Sequence, residues 1–216
     1  MAGITATTKR TAISVRGRKQ LDVNFSTPEQ GLALGISLKS VHTRDVGGAE
    51  RYTHNMKRNE EELRIESSGY HKRQPYAVMV AVLFLPFDSC SDGKRGHPSS
   101  FGSWVRHLRP YTGRAEPTDG HDIFEKTYIG LYQPDASDLR FFDVEADPPK
   151  NGEPQRDGDL LASDGRAQRL LTYDEFLNTV YHIYLRRNAA EFRWAEGGED
   201  PLTIDEIDGG ESDDDT

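Results

Sequence analysis

Residues 76–87 (YAVMVAVLFLPF) constrain the fold more than any other stretch, because nearly every residue is apolar and Val and Leu dominate. A run without a polar face has to be covered on both sides, as a central strand of an α/β sheet is. The run is about half as long as the roughly 20 apolar residues a membrane-spanning helix needs. It therefore reads as protein core, and no membrane partner is expected.

The flanking segments indicate what covers it. Residues 55–72 carry good helix formers, with Met56, Leu63 and Tyr70 as expected core contacts and Glu61, Glu62 and Arg64 facing elsewhere, before Pro75 stops the helix. Residues 99–108 read as a short helix opened by a serine cap, and residues 124–133 and 139–144 as a hairpin pair. The strongest helix signal spans residues 172–187. Thr172 can cap it, Asp174 and Glu175 suit its first turn, Arg186 and Arg187 suit its end, and Phe176, Val180, Ile183 and Tyr184 form an apolar face.

Near the N-terminus, residues 20–25 (QLDVNF) alternate Leu21, Val23 and Phe25 with Gln20, Asp22 and Asn24, the pattern of a strand with one buried face. Pro28 and Gly31 mark a turn, and residues 32–41 (LALGISLKSV) return as an antiparallel neighbour, with an outer strand expected at residues 11–15. The order β-β-β-α-β-α-β-β-α predicts an α/β fold, a mixed sheet flanked by helices. A Gly47-Gly48 loop follows the second of these strands, and residues 147–169 read as a long exposed loop.

Charge divides the chain. The net charge is −9, but residues 1–115 hold 18 Lys+Arg against 10 Asp+Glu, whereas residues 116–216 hold 9 against 26. Residues 196–216 carry ten acidic residues and no basic one, which predicts a domain over 1–195 and a disordered acidic tail over 196–216. The basic half leaves room for a polyanion-binding face, since local rather than total charge attracts phosphate. Basic residues scattered over a solvated surface are the alternative.

Several chemistries are excluded on spacing. The seven His residues stand apart at 42, 54, 71, 97, 107, 121 and 182, and Cys90 has no second cysteine, so no zinc pattern forms. No phosphate-binding GxxxxGK[ST] loop occurs, and Gly93, Gly96 and Gly102 form no dinucleotide fingerprint. A nucleophilic Cys90 would need an activating His and a lowered pKa. Trp104 and Trp194 read as packing residues. With one cysteine, and with Lys9, Arg10 and Arg16 leading into a charged segment rather than an apolar leader, a cytoplasmic setting is expected.

What remains is Asp22 in KQLDV and Lys39 in GISLK, on two neighbouring strands. Phosphodiester hydrolysis needs carboxylates to hold a divalent metal and a cation beside the attacking water or the phosphate. On these residues, and on the wider run GISLKS, RYTHNMKRNEEELRIE, HKRQPYAV, FLPFD, FEKTYIGLYQ, RFFDV and DPP, the chain resembles the PD-(D/E)XK nuclease superfamily, in particular type II restriction endonucleases. The resemblance implies a restriction endonuclease-like fold and Mg2+-dependent cleavage of double-stranded DNA, with Mn2+ as a substitute, in restriction or phage defence. It casts Asp22 as metal ligand, Lys39 as the cation that positions water or stabilises the transition state, and the Leu38 carbonyl as a further ligand.

Two features depart from the family pattern. The triplet is Ser37-Leu38-Lys39, so Ser37 stands where the second acid is expected. Either a helix carboxylate substitutes, from Glu62 or Glu66 one turn apart on a single helix face, or activity is lost and the chain only binds DNA. The family also places a helix before the first core strand, where this chain has about ten residues; either the chain is a shortened member, or a second copy in a homodimer or a partner subunit supplies the helix. Arg51, Asn55, Lys57 and Arg58 read either as a phosphate-binding approach to the helix or as its solvated start. Arg73 and Gln74 either touch DNA or close the helix. A further reading makes the acidic tail the functional part, docking a basic partner.

Overall fold

The computed structural model describes residues 11–14, 17–27, 31–42, 51–94, 96–158 and 169–196, with side chains described for residues 21–27, 31–42, 51–94, 96–158 and 169–188. The elements are β1 (Thr11–Ser14), β2 (Gly17–Gln20), β3 (Val23–Thr27), β4 (Gly31–Ser40), α1 (Met56–His71), β5 (Val78–Pro86), α2 (Ser100–Leu108), β6 (Lys126–Tyr132), β7 (Leu139–Asp143) and α3 (Tyr173–Glu196). Short 3-10 turns follow β5 and α2.

Five strands form one mixed sheet in the order β3-β4-β5-β6-β7, so the apolar run is its central strand. β5 pairs in parallel with β4 and β6, while β3 and β7 close the edges antiparallel. Alternate residues of β5 enter two different cores. Met79, Ala81, Leu83 and Leu85 pack with Leu63 and Tyr70 of α1 and with Phe101, Trp104 and Val105 of α2. Val78, Val80 and Val82 pack with Phe176 and Val180 of α3. Two layers of helix on one sheet thus explain a strand with no polar face.

The helix ends follow local chemistry. Ser99 caps α2 by accepting from the Gly102 N–H at 3.1 Å. Thr172 and Glu175 form a capping box on α3: the Thr172 N–H donates to Glu175 Oε2 at 2.8 Å and the Glu175 N–H to Thr172 Oγ1 at 3.3 Å. α3 continues past Arg187 to Glu196, longer than its sequence signal. The tail beyond it, Gly47, Gly48, Val15 and residues 159–168 lie outside the described residues, as does the Trp194 side chain. Residues 147–158 contain no helix or strand, as expected of a loop.

The N-terminal expectation needs correction. The segment 20–25 is not one strand: β2 ends at Gln20, the chain bends at Asp22, and β3 starts at Val23. The strand expected at residues 11–15 is not an outer strand of the main sheet, since β1 pairs with β2 in a separate two-stranded ribbon. The bend has a packing cause. Leu21 turns onto the α1 face and is buried against Gly35, where an added Cβ would lie 2.7 Å from the Leu21 side chain and 2.8 Å from the Met79 sulfur. Val23 and Phe25 face α3 and stay partly exposed, so strict alternation fails at Asp22.

Candidate functional site

The candidate site is built where the C-terminal half of β4 meets the middle of α1. Ile36 and Leu38 face α3, which turns Ser37 and Lys39 towards α1. There the Ser37 hydroxyl, fully buried, donates to Glu66 Oε2 at 2.8 Å. Lys39 Nζ donates to the other oxygen, Glu66 Oε1, at 3.3 Å, and lies 3.4 Å from Glu62 Oε2. One helix turn therefore delivers two carboxylates to one amine, because positions four apart share a helix face.

Asp22 reaches the same stretch of β4 from the sheet edge. Its Oδ2 accepts from the Leu38 N–H at 2.8 Å. The carboxylate thus continues the β3–β4 ladder past the end of β3, using an exposed side chain in place of backbone. In an extended strand a residue's N–H and C=O leave on the same side. The Leu38 carbonyl is accordingly directed to the edge that Asp22 occupies.

The electrostatics follow the geometry. Arg58 Nε donates to Glu62 Oε1 at 2.9 Å, and this bond, reinforced by Lys39, holds the Glu62 carboxyl below its ordinary range. Lys39 is four-fifths shielded, Glu66 more so, while Glu62 and Arg58 open to solvent. Shielded charges interact more strongly than solvated ones, so the Lys39–Glu66 contact is the firm part of the cluster and Arg58–Glu62 its loose rim.

The remaining sequence candidates divide. Asn55, Lys57 and Arg58 are exposed at the start of α1, at the same end of the sheet as Lys39, and Asn55 takes a left-handed backbone with φ 55°. Arg51 is engaged elsewhere: its guanidinium donates to the Pro98 carbonyl at 2.6 Å and the Ser103 hydroxyl at 3.2 Å, tying the approach to α1 onto α2. Arg73 and Gln74 lie beyond the other end of α1. The Gln74 side chain packs on Gly31, the first residue of β4, about 20 Å from Ser37 at the rise of a strand.

A second polar cluster gave no sequence signal. Glu125, immediately before β6, accepts from the Met79 N–H at 2.7 Å and from Arg114 at 2.7 Å, and meets Arg187 of α3 at 3.2 Å and His71 Nε2 at 3.3 Å. Burial alone would raise the Glu125 carboxyl, but His71, the Met79 N–H and Arg114 together hold it below the ordinary glutamate range. Ser67, His71 and Glu125 line up as hydroxyl, imidazole and carboxylate. All three are buried, and the Ser67 hydroxyl donates inward to the His121 and Ile123 carbonyls, so the series is a structural clamp rather than a hydrolytic relay.

Cys90 is excluded as a nucleophile, since burial pushes its thiol up to about 12. Trp104 is core, its Nε1 donating to the Tyr52 carbonyl at 2.7 Å. Among the described residues no group of three or more His, Cys, Asp or Glu converges as a metal cage, and no helix is long and apolar enough to cross a membrane. No protein-family model matches the chain, and no curated protein or solved structure matches it either.

Proposed function

We propose that the chain is a metal-dependent endonuclease acting on double-stranded DNA, with its centre at Asp22, Ser37, Lys39 and Glu66. One observation carries the reading: the position where a strand acid is missing holds Ser37, and that serine grips a helix carboxylate that Lys39 also contacts. Glu66 then does from α1 what the triplet lacks on β4.

The donor set suits the cation. Asp22, Glu66 and the Leu38 carbonyl are all oxygen ligands, the hard donors Mg2+ prefers, and Mg2+ uses one or two carboxylates while keeping several waters. When bound, the cation supplies positive charge against the scissile phosphate and favours proton loss from water. The protein's own groups do the rest. Ser37 fixes the Glu66 carboxylate in direction. Lys39 has three donors, two directed to Glu66 and Glu62, and the third serves to orient a water or oppose charge on the phosphate. Lys57, Arg58 and the start of α1 offer the phosphate approach.

Supercoiled plasmid with purified protein in Mg2+ or Mn2+ tests this: the wild type converts it to nicked or linear form, and Lys39→Ala and Glu66→Gln do not. An intact plasmid under both metals overturns it. A second reading, a DNA-binding protein of the same architecture that does not cut, is favoured by the pairing of Lys39 with two glutamates, whose negative charge offsets its positive one. That reading is distinguished by steeply salt-dependent DNA binding with no cleavage.

A further inference from the structure

The exposed face of α3 carries a pattern that none of the site chemistry uses. Its solvent-facing residues fall in two rows at four-residue spacing. One row is Tyr173, Leu177, Tyr181 and Leu185, which are 54%, 40%, 49% and 37% exposed. The row beside it is Asp174, Asn178, His182 and Arg186, also exposed. The apolar row is continuous with the sheet edge: Tyr181 stacks on Tyr184 with ring centroids 6.4 Å apart, and Phe25 of β3 meets Tyr184 edge-on at 5.8 Å. Val23 on the same edge strand is 43% exposed. Large apolar side chains gathered in this way mark an interaction surface rather than ordinary scatter.

We propose that this ridge docks a second copy of the chain, α3 against α3 in antiparallel orientation. The pattern is self-complementary. A two-fold axis beside Thr179 and Val180 sets Tyr173 against the second copy's Leu185 and Leu177 against its Tyr181, an aromatic ring on an aliphatic side chain at every step. The same axis sets Asp174 against Arg186 and Asn178 against His182. The acid therefore meets the base twice, once on each side of the axis. A different protein, or the acidic residues that follow α3, would require no such symmetry, whereas an isologous interface does. Rows of four-residue spacing are also the ridges that interlock when two helices cross at about 50°. Arg187, next to Arg186, takes no part, because it is held inside by Glu125 and the Ala115 carbonyl. The proposal stands apart from the nuclease reading and does not depend on it.

Light scattering and sedimentation equilibrium of the full chain across the micromolar range test it. The wild type is a dimer, and Tyr181→Asp weakens association at least about 30-fold, as loss of a central aromatic does. Asp174→Arg and Arg186→Asp each weaken it about tenfold by placing like charges opposite one another, and the double exchange recovers most of the loss. All three side chains changed are solvent-facing, and circular dichroism and thermal melting verify that the fold persists. A monomeric wild type, a dimer indifferent to Tyr181→Asp, or a double exchange no better than the single ones would each overturn the proposal.

Discussion

Two clusters of charged side chains hold α1 to the sheet, and they differ in what surrounds them. At one end Glu125, Arg114 and His71 are almost wholly removed from solvent. Near the C-terminal end of β4, Lys39 and Glu66 are shielded but reachable, and Glu62 and Arg58 lead from them to water. The buried cluster gains strong Coulomb interaction at a large desolvation cost, so its value lies in keeping every partner present. The open cluster has lower stakes for stability and can exchange a partner for a ligand. Charge and proximity alone do not separate a clamp from a site; solvent access does.

The sharpest break of that comparison is Glu125→Ala. Removing one member strands two arginines and a histidine in the core, and we expect a loss of about 3–5 kcal/mol, read as a fall in the midpoint of chemical denaturation. Little change in the midpoint would mean that the cluster is hydrated and no clamp. Next in size is Lys39→Ala. On the proposed nuclease reading, cleavage falls about 100-fold or more, as when a group that stabilises developing charge is deleted, while stability falls by much less than for Glu125→Ala. Comparable loss of folding would make Lys39 a structural residue.

Smaller still is Thr172→Ala, which removes the hydroxyl side of the α3 capping box at a cost of about 1 kcal/mol. It calibrates both clusters against an ordinary local contact. Acid titration follows from Glu175, whose carboxyl is held down at about 2 by Arg169 first and then by the Thr172 N–H. A carboxyl depressed in the folded state stabilises above its unfolded value, and that contribution is lost as pH falls from about 4.3 towards 2. The depressed Glu125 carboxyl acts in the same direction. Glu175→Gln should therefore lower stability at neutral pH, leave it little changed near pH 2, and so flatten the acid slope between them; an unaltered acid slope contradicts the assignment. The smallest effect is at Cys90, whose thiol should resist thiol reagents in the native protein and react only on unfolding, measured by labelling with and without denaturant.

Particular residues show how far local pattern reaches. Residues 76–87 have no polar period, so coverage on both faces, and with it β5 at the centre, was readable. Ser99 and Thr172 announced their helices because caps act over three residues, a distance within the reach of sequence pattern. Glu66 is legible as a candidate for the absent acid only through its four-residue spacing from Glu62. That Ser37 would hold it was not. Alternation across residues 20–25 failed because it assumes a straight strand, and Leu21 is drawn instead into a gap over Gly35. Glu125 could not be read at all, since its partners are brought to it from 11, 46 and 62 positions away.

The amino-acid order by itself determined the α/β architecture, the central strand, the three helices and the pairing of β3 with β4, because each rests on periodicity or capping within a few residues. Only the tertiary structure decided which charges are clamps and which remain open, where Asp22 leaves its strand, and that α1 returns a carboxylate to Ser37 and Lys39. Those outcomes depend on strand register and helix docking, and neighbouring residues do not encode the desolvation and contact energies that select them.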